Sequence, residues 1–573
     1  MLAKGRATPM VIIFIAISFT LVVVVHHVHL SIADRKLPPG PRRLPIVGNL
    51  LHVPTLRPYP QFRKWARQYG PIFSLRLGPQ TMIVLNSAEV AHEILDNRAR
   101  KYSSRAPPHV AHDIMSDGQR LVFLPYDKEW KAAKKSMQAL FTTAKIREMR
   151  RTQELESRVL LYDLLCHRQQ SLSADFTEFV GDGVPDRHWF AIIRRYTTSV
   201  VMTATYGNRV NRVVDNPHLH KIYDVLANFA HVGQPGNYLA DAFPIFRKLP
   251  DWLAPWRVAA RKMHEWEMEL WGGLLQRCKN ELRAGKEHVT NYVSTYLRQR
   301  IDSTGIEDAP GKGILPNGHL TDKLLAYTAG TILEAGSDTT ASTMQSFILF
   351  MVTHPYVLRT LREEIDRVVG QSRMPGFEDE GNLPYLVACI KETLRRRPPT
   401  IMGIPHSSDE EDYYDGYLIP KNSTVVGNVW AIHMDPVAYP NPFAYDPERF
   451  LDDARCNKWN SGPDHKDRDH FVFGWGRRFC VGQNVAQDSL FLVLARIIWA
   501  FDLQVPRDPT SGNPLVPDIN DEEATFTTGF VSVPKIYPVA FVPRTEEKAK
   551  MIIKSFEQAQ EEWEILGLDR DQR

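Results

Sequence analysis

Hydrophobic positions divide the chain into an apolar N-terminal stretch, a short alternating region and a long remainder with mainly helical spacing. Residues 10–30 (MVIIFIAISFTLVVVVHHVHL) contain no acidic residue, lysine or arginine, and about 20 apolar residues suffice to cross a bilayer. We therefore expect a single transmembrane helix there, after a short tail at residues 1–9. A cleaved signal peptide is the alternative, although no small-x-small cleavage site follows this long stretch.

Basic and proline residues after this stretch predict how the rest of the chain is held. Basic residues follow it at positions 35, 36, 42 and 43, against two before it at positions 4 and 6. The positive-inside tendency therefore places the main body in the cytosol. Residues 31–50 form a hinge in which closely spaced prolines favour a stiff, non-helical connector.

The remainder of the chain is predicted to be mainly α-helical with a small β region. IFSLRLGPQTMIVL, residues 72–85, predicts two strands around a turn at Gly78–Gln80. After Ser87 the spacing of apolar residues is mainly helical.

One large domain is expected between the hinge and the C-terminal segment. The residues with candidate chemistry are spread from Trp130 to Cys480, so residues 51–544 are interpreted as one domain. Residues 545–573 are charged, and we expect them to form a solvated helical tail.

Composition narrows the class of protein without naming a function. Hydrophobic residues make up 43% of the 573 positions and charged residues 24%, as in ordinary globular chains. The net charge of +4 gives no indication of nucleic-acid binding. The five cysteines form no close pair, which argues against a disulfide framework and is typical of a reducing compartment.

Cys480 lies in the stretch FGWGRRFCVG, far from any second thiol. A structural zinc ion or a cysteine-ligated iron–sulfur cluster needs about four protein ligands, yet the nearest other cysteine is Cys456. A cysteine nucleophile needs an activating base, and the 20 histidines of the chain leave that alternative open. A haem iron needs only one thiolate from the protein.

The neighbours of Cys480 fit a thiolate ligand. The apolar spacing after it predicts a helix, and a thiol just before a helix N-terminus has a lowered pKa because backbone N–H groups stabilise its anion. Phe473 can shield the sulfur from water, and Arg478 can pair with a propionate carboxylate. Glycines at positions 474, 476 and 482 permit tight turns.

Residues 322–354 form a long apolar segment with GSDTT at its middle. A second transmembrane helix is one interpretation, but Glu334 and Asp338 would be costly in lipid. We expect a buried helix whose hydrogen-bond ladder is loosened at this motif, with Asp338 and Thr339 forming an acid–alcohol proton relay. Alternatively, Thr339 and Thr340 bond only to backbone carbonyls.

Two further patterns are weaker on their own. In KETLR, Glu392 and Arg395 lie one helical turn apart, and Arg449 of DPERF could complete a buried network, since buried charges need full pairing. In EWKAAKK, Trp130 and Lys134 share one helix face, which suits a second carboxylate contact or an exposed basic helix equally well.

Together these motifs resemble the cytochrome P450 superfamily of haem-thiolate monooxygenases. The resemblance runs through LPPGP, AGSDTT, KETLR, PERF and FGWGRRFCVG in order. It implies the mainly α cytochrome P450 fold, with a large helical subdomain and a small β-rich subdomain, and non-covalent haem b. It also implies O2 as co-substrate and electrons from an NADPH-dependent cytochrome P450 reductase.

The resemblance also assigns roles to individual residues. Cys480 matches the axial iron ligand, and Asp338 and Thr339 match the oxygen-activating pair. Lys134 stands where the family often has arginine, so its contact loses bidentate geometry. The partners of the propionates match Arg478, Trp130 and His406, and the structural network behind the haem matches Glu392, Arg395 and Arg449.

The sequence around these motifs is similar to that of filamentous-fungal microsomal members, a group that includes O-methylsterigmatocystin oxidoreductase. This similarity implies oxidation of a lipophilic secondary-metabolite intermediate at the endoplasmic reticulum membrane, with the catalytic domain facing the cytosol. A haem-thiolate isomerase, dehydratase or peroxide-using enzyme and a non-catalytic haem-binding membrane protein are the alternatives. Lys131, Lys135 and Arg477 form either a basic docking patch for the reductase or only a solvated face.

The walls of the substrate pocket are expected to be apolar. The candidate segments are the one before Trp130, residues 229–246, 332–335, 399–404 and 526–531. Asn422 begins an N-glycosylation sequon, which we expect to stay unmodified because the domain faces the cytosol. A mobility shift after glycosidase treatment would contradict that topology.

Overall fold

The computed structural model describes residues 36–168, 188–213, 216–234, 236–286, 289–451, 459 and 464–568. The predicted tail and transmembrane helix lie outside the described residues. In the described part of the chain, no helix combines the length and the apolar character needed to cross a membrane.

The described fold is mainly helical, as the sequence predicts. Short 3-10 and π segments connect the helices at several points. The helices are α1 (Pro58–Tyr69), α2 (Ala88–Ala91), α3 (Ala99–Tyr102), α4 (Lys128–Gln138), α5 (Thr143–Cys166), α6 (Trp189–Tyr206), α7 (Pro217–Val232), α8 (Leu239–Ala242), α9 (Pro255–Arg283), α10 (Tyr292–Thr304), α11 (Asp322–Thr353), α12 (Pro355–Val369), α13 (Pro384–Arg396), α14 (Val429–His433), α15 (Gln483–Ala500), α16 (Glu522–Thr525) and α17 (Glu546–Ile565).

Three small sheets complete the described fold. The four-stranded sheet has the order β1-β2-β6-β3, and β4–β5 and β7–β8 form two-stranded antiparallel pairs. The predicted hairpin is confirmed, because β1 pairs antiparallel with β2 and Ile72 lies opposite Leu85. The strands are β1 (Ile72–Leu77), β2 (Gln80–Leu85), β3 (His406–Ser407), β4 (Asp412–Tyr414), β5 (Tyr417–Ile419), β6 (Thr424–Gly427), β7 (Phe501–Gln504) and β8 (Ala540–Pro543).

The long helix α11 lies at the centre of the domain. Thr321 caps it by accepting a hydrogen bond from the backbone N–H of Leu324, and the helix packs against α6, α9, α13 and α15. Most of its side chains are buried on all faces, which explains why its sequence lacks a polar stripe. Residues 322–353 are therefore a buried helix of the domain, and the second-transmembrane alternative is wrong.

The expected loosening of α11 at GSDTT does not occur. The helix runs without interruption from Asp322 to Thr353. Helix packing explains the glycine at position 336 instead, because a Cβ atom there would lie 2.4 Å from Cγ1 of Val201 on α6. The glycine therefore allows the two helices to pack closely.

The hinge and the C-terminal segment both pack on the domain. The carbonyl of Pro39 accepts a hydrogen bond of 2.9 Å from the backbone N–H of Ser74 on β1. At the other end, α17 is helical as expected, but it packs against α5. Its Ile552 and Trp563 are buried, so the expectation of a merely solvated helix is wrong. The many charged residues of this segment made its narrow apolar face difficult to recognise in the sequence.

Candidate functional site

A cavity of about 1100 Å³ lies between the middle of α11 and the loop that precedes α15. Cys480, Arg478 and Phe473 line it from the loop, and Asp338 and Thr339 line it from α11. Two distant parts of the sequence that carry predicted chemistry therefore face one enclosed space.

The loop before α15 holds Cys480 in a fixed position. The backbone N–H of Cys480 donates to the carbonyl of Phe473 over 2.9 Å, and Gly474 and Gly476 have positive φ values of 77° and 55°. A Cβ atom on Gly476 would lie 2.3 Å from the carbonyl oxygen of Leu95. Gly482 differs, because its φ is −88°, so left-handed geometry does not explain that glycine.

Cys480 lies just before the predicted helix, which is α15. Protein surrounds the thiol, but its accessible surface opens into the cavity that it lines. Burial raises the pKa of the Cys480 thiol, and hydrogen bonds from the backbone N–H groups of Gly482 and Gln483 lower it. The expected stabilisation by the helix start is present, but desolvation outweighs it. A bound cation would be needed to favour the thiolate.

Three side chains along the cavity can hold carboxylates. Arg105, Arg478 and His406 all line it, and none forms a salt bridge with a described carboxylate. Arg478 donates to the carbonyls of Ser103 and Leu124 over 2.7 and 2.6 Å, and burial lowers its pKa to about 9. Arg105 donates to the carbonyls of Ile404 and Pro405, and its Nε has no partner.

These groups fit the two propionates of haem. A buried guanidinium without a carboxylate is costly, and burial lowers the pKa of Arg105 strongly. His406 donates from Nδ1 to the carbonyl of Tyr102 over 2.7 Å, which leaves Nε2 for a ligand. A dianionic edge at this wall would supply the missing acceptors.

Trp130 and Lys134 lie behind this wall, outside the set of residues that line the cavity. The Arg478 guanidinium stacks 4.2 Å from the Trp130 ring centroid. Lys134 lies over the same ring and donates to the carbonyl of Arg477. Direct contact of either residue with a cofactor stays a prediction, and the geometry shows how both support Arg478.

On the opposite wall, Asp338 and Thr339 are bonded to protein groups. The Thr339 hydroxyl donates a hydrogen bond to the carbonyl of Ala335 over 2.7 Å. The alternative interpretation, a bond from Thr339 to a backbone carbonyl, is therefore observed. Asp338 forms a salt bridge of 3.1 Å with Arg194 of α6. Both side chains nevertheless line the cavity, so their oxygen lone pairs can accept hydrogen bonds there.

The predicted network of Glu392, Arg395 and Arg449 is confirmed. Arg395 donates to both Glu392 oxygens over 2.6 and 2.7 Å. Arg449 adds a longer contact of 3.3 Å. Carbonyls of His433 and Pro442 accept further hydrogen bonds from Arg395, so the charges of Glu392 and Arg395 are well paired.

The predicted pocket segments mostly line the cavity. Of residues 229–246, only the part from Phe229 to Gln234 does so. The ring centroid of Phe229 lies 5.4 Å from that of Phe530, and together they form an aromatic wall. The other segments contribute Val122, Ile332, Glu334, Ala335, Pro399, Thr400, Gly403, Ile404, Thr527, Thr528, Gly529, Phe530 and Val531.

The sequence analysis missed several charged residues near the cavity. Arg105 has no periodic or motif signal in SSRAPP, and only packing brings it beside Arg478. Arg120 forms salt bridges with Glu267 and Glu334, which lie 147 and 214 residues further along the chain. No local spacing could have indicated that cluster.

The amino-acid sequence matches one family of known proteins. A family model described as cytochrome P450 matches residues 38–518. The chain is 54% identical over 539 residues to cytochrome P450 monooxygenase 231 of Postia placenta, with 94% of each chain covered. It is 35% identical to cytochrome P450 monooxygenase fogE of Aspergillus ruber, covering 90% and 88%. It is 34% identical to cytochrome P450 monooxygenase virE of Hypocrea virens, covering 93% and 89%.

Proposed function

Since this chain belongs to the cytochrome P450 family, we propose that it oxidises a lipophilic fungal secondary-metabolite intermediate with O2 and with electrons from an NADPH-dependent reductase. The observation that carries the proposal is the shared cavity, with Cys480 on one wall and Asp338 and Thr339 on the other. Haem b with an axial cysteine thiolate is the cofactor of this family, and when bound it supplies dioxygen activation and substrate oxidation.

The residues of the chain hold and surround the cofactor in this proposal. Cys480 is the iron ligand, and Arg105, Arg478 and His406 hold the propionates. Thr339 keeps its own proton on the Ala335 carbonyl, so its oxygen is free to accept a hydrogen bond from a water in the cavity. Asp338 takes up a proton and passes it to that water, and Arg194 keeps the carboxylate in place.

The cavity favours a lipophilic substrate. Its walls include Phe229, Phe530, Ile332 and Val531, and apolar walls favour apolar ligands by removing their surface from water. The relatives fogE and virE are fungal cytochrome P450 monooxygenases, which supports a fungal metabolite as the substrate.

Exposed apolar side chains support contact with a membrane. Ile245 and Trp252 are 72% and 79% exposed, and Leu51 is 74% exposed. Phe243, which precedes Ile245 by two residues, lies against Gly78. The backbone N–H of Gly78 donates a hydrogen bond to the carbonyl of Val47 in the hinge. These contacts connect the segment that carries Ile245 to the hinge. The exposed apolar side chains, together with the predicted N-terminal helix, support location at the endoplasmic reticulum membrane.

A basic surface supports docking of the reductase. Lys131, Lys135 and Arg477 are exposed. Lys131 and Arg477 both lie over the ring of Tyr126, at 4.6 and 5.1 Å from its centroid. This clustering raises the local positive potential, which favours association with an acidic partner at low salt.

The decisive experiment separates this function from reductase-independent chemistry. We expect the purified protein to consume NADPH with added reductase and to show the red-shifted reduced carbon monoxide band of a thiolate ligand. Cys480→His should lose that band, and the matched Cys166→His change at an exposed thiol should keep it. An unchanged band in Cys480→His, or product formation without NADPH, would contradict the proposal.

A further inference from the structure

A buried cluster of two carboxyl groups and one guanidinium adjoins the substrate cavity. The Arg120 side chain is almost wholly buried and forms salt bridges with Glu267 of α9 and Glu334 of α11. Its guanidinium also lies 4.2 Å from the ring centroid of Phe229, which lines the cavity. The cluster therefore connects the aromatic wall to the helix that carries Asp338.

The two carboxyl groups of the cluster differ in how fully they are bonded. Glu267 uses both oxygens inside the protein, because Oε1 accepts from Arg120 and Oε2 accepts from the Tyr327 hydroxyl over 2.9 Å. Oε1 of Glu334 accepts a hydrogen bond from Arg120, and no described residue donates a hydrogen bond to Oε2. Glu334 lines the cavity, so this oxygen is available to a ligand.

The charge of the cluster favours a neutral hydrogen-bond donor over a second cation. Arg120 already neutralises one carboxylate, and burial raises the pKa of both Glu267 and Glu334. A proton on Glu267 can therefore balance the remaining charge and leave Glu334 as the acceptor. What the wall still lacks is a donor for Glu334 Oε2, since an unfilled acceptor in an apolar site is costly.

We propose that Glu334 determines substrate specificity by accepting a hydrogen bond from a hydroxyl group of an otherwise apolar substrate. The proposal rests on the proposed function, since it concerns the substrate of the same cavity. The apolar body of the substrate packs against Phe229 and Phe530, and the hydroxyl lies against Oε2. Because Glu334 lies one helical turn before Asp338, this contact fixes the substrate beside the relay residues.

The test is a spectral titration of the full-length haem protein with 2-naphthol and 2-methoxynaphthalene. The two probes share an apolar ring system, but only 2-naphthol can donate a hydrogen bond. We expect wild-type protein to bind 2-naphthol about tenfold more tightly, since a hydrogen bond to a charged or partly charged group contributes about that factor.

Two variants isolate the role of the cavity-facing oxygen. Glu334→Met should lose the preference for 2-naphthol, because methionine keeps the length of the side chain and removes the acceptor. Glu267→Gln is the matched control: it removes a carboxyl group from the same cluster without facing the cavity, so it should keep the preference. Retained preference in Glu334→Met, or lost preference in Glu267→Gln, overturns the proposal.

A second readout separates this inference from the proposed function. The reduced carbon monoxide band and NADPH consumption are measured on the same preparations. If wild type shows the thiolate band and consumes NADPH but has no preference for 2-naphthol, only the inference about Glu334 is overturned. The same holds if wild type binds neither probe detectably. If wild type lacks the thiolate band, the proposed function itself fails.

Discussion

Two buried networks of arginine and glutamate in this molecule have opposite compositions. In the first, Glu392 is bonded by two arginines, Arg395 and Arg449. In the second, two glutamates, Glu267 and Glu334, share one arginine, Arg120. Spare donors of Arg395 in the first network reach backbone carbonyls, whereas the spare acceptor of the second network, Oε2 of Glu334, belongs to a residue that lines the cavity. The first therefore serves the fold, and the second is open to a ligand.

The difference follows from what each network can use as a partner. Backbone carbonyls are abundant in loops, so surplus arginine donors are easily satisfied inside the protein. A surplus carboxylate needs N–H or O–H donors, which buried helices do not offer because their backbone N–H groups are already used. A carboxylate in excess beside a cavity consequently favours binding of a proton or of a substrate group that donates a hydrogen bond.

The largest expected effect comes from removing the single carboxylate of the first network. Glu392→Ala leaves Arg395 as a buried charge without a counterion and leaves Arg449 with only its 3.7 Å contact to Asp446, so we expect a loss of about 3–5 kcal/mol in unfolding free energy. Denaturant unfolding followed by the haem absorbance measures it. The control Glu448→Ala changes an exposed neighbour and should stay within about 0.5 kcal/mol. A loss of similar size in both variants would contradict the comparison.

The second network should give a pH-dependent effect of intermediate size. Burial raises the pKa of Glu267 from its ordinary 4.5 to about 7, so the folded protein keeps a proton that the unfolded chain releases. Its stability therefore falls as the pH rises from about 4.5 to about 7. Glu267→Gln cannot titrate and should gain on the order of 1 kcal/mol relative to wild type across that window.

Unfolding midpoints in urea at pH 5 and pH 7.5 measure this difference between Glu267→Gln and wild type. The variant should approach or exceed wild type only at the higher pH. Parallel pH profiles for the two proteins would mean that Glu267 does not retain its proton in the folded state.

The smallest expected effect is at the second arginine of the first network. Arg449 contacts Glu392 over 3.3 Å, whereas Arg395 makes two bonds of 2.6 and 2.7 Å. Arg449→Lys keeps the charge and should cost about 1 kcal/mol or less. Arg395→Lys loses bidentate geometry and should cost more. Equal losses in the two variants would show that the contact lengths do not rank the two arginines.

Some features of the site followed from local sequence alone. The thiol loop was predictable because Gly474, Gly476 and Cys480 act through backbone geometry and through the helix that begins three residues after Cys480. Glu392 and Arg395 pair within one helical turn. These interactions depend on chain spacing of a few residues, which a sequence displays directly.

Other features were decided only by tertiary packing. Gly336 is required by the approach of Val201 on another helix, and the sequence pattern suggested a loosened helix instead. Asp338 was recognisable by its motif, but its salt bridge with Arg194 depends on how α6 crosses α11.

The sequence by itself determined the family and the mainly helical fold and marked Cys480 as the candidate thiolate ligand, because short motifs and helical periodicity carry that information. The tertiary structure alone brought Arg105 to the cofactor wall and gathered Arg120, Glu267 and Glu334 at the cavity. Single charged residues carry no spacing signal, and their partners are chosen only when distant helices pack and exclude water.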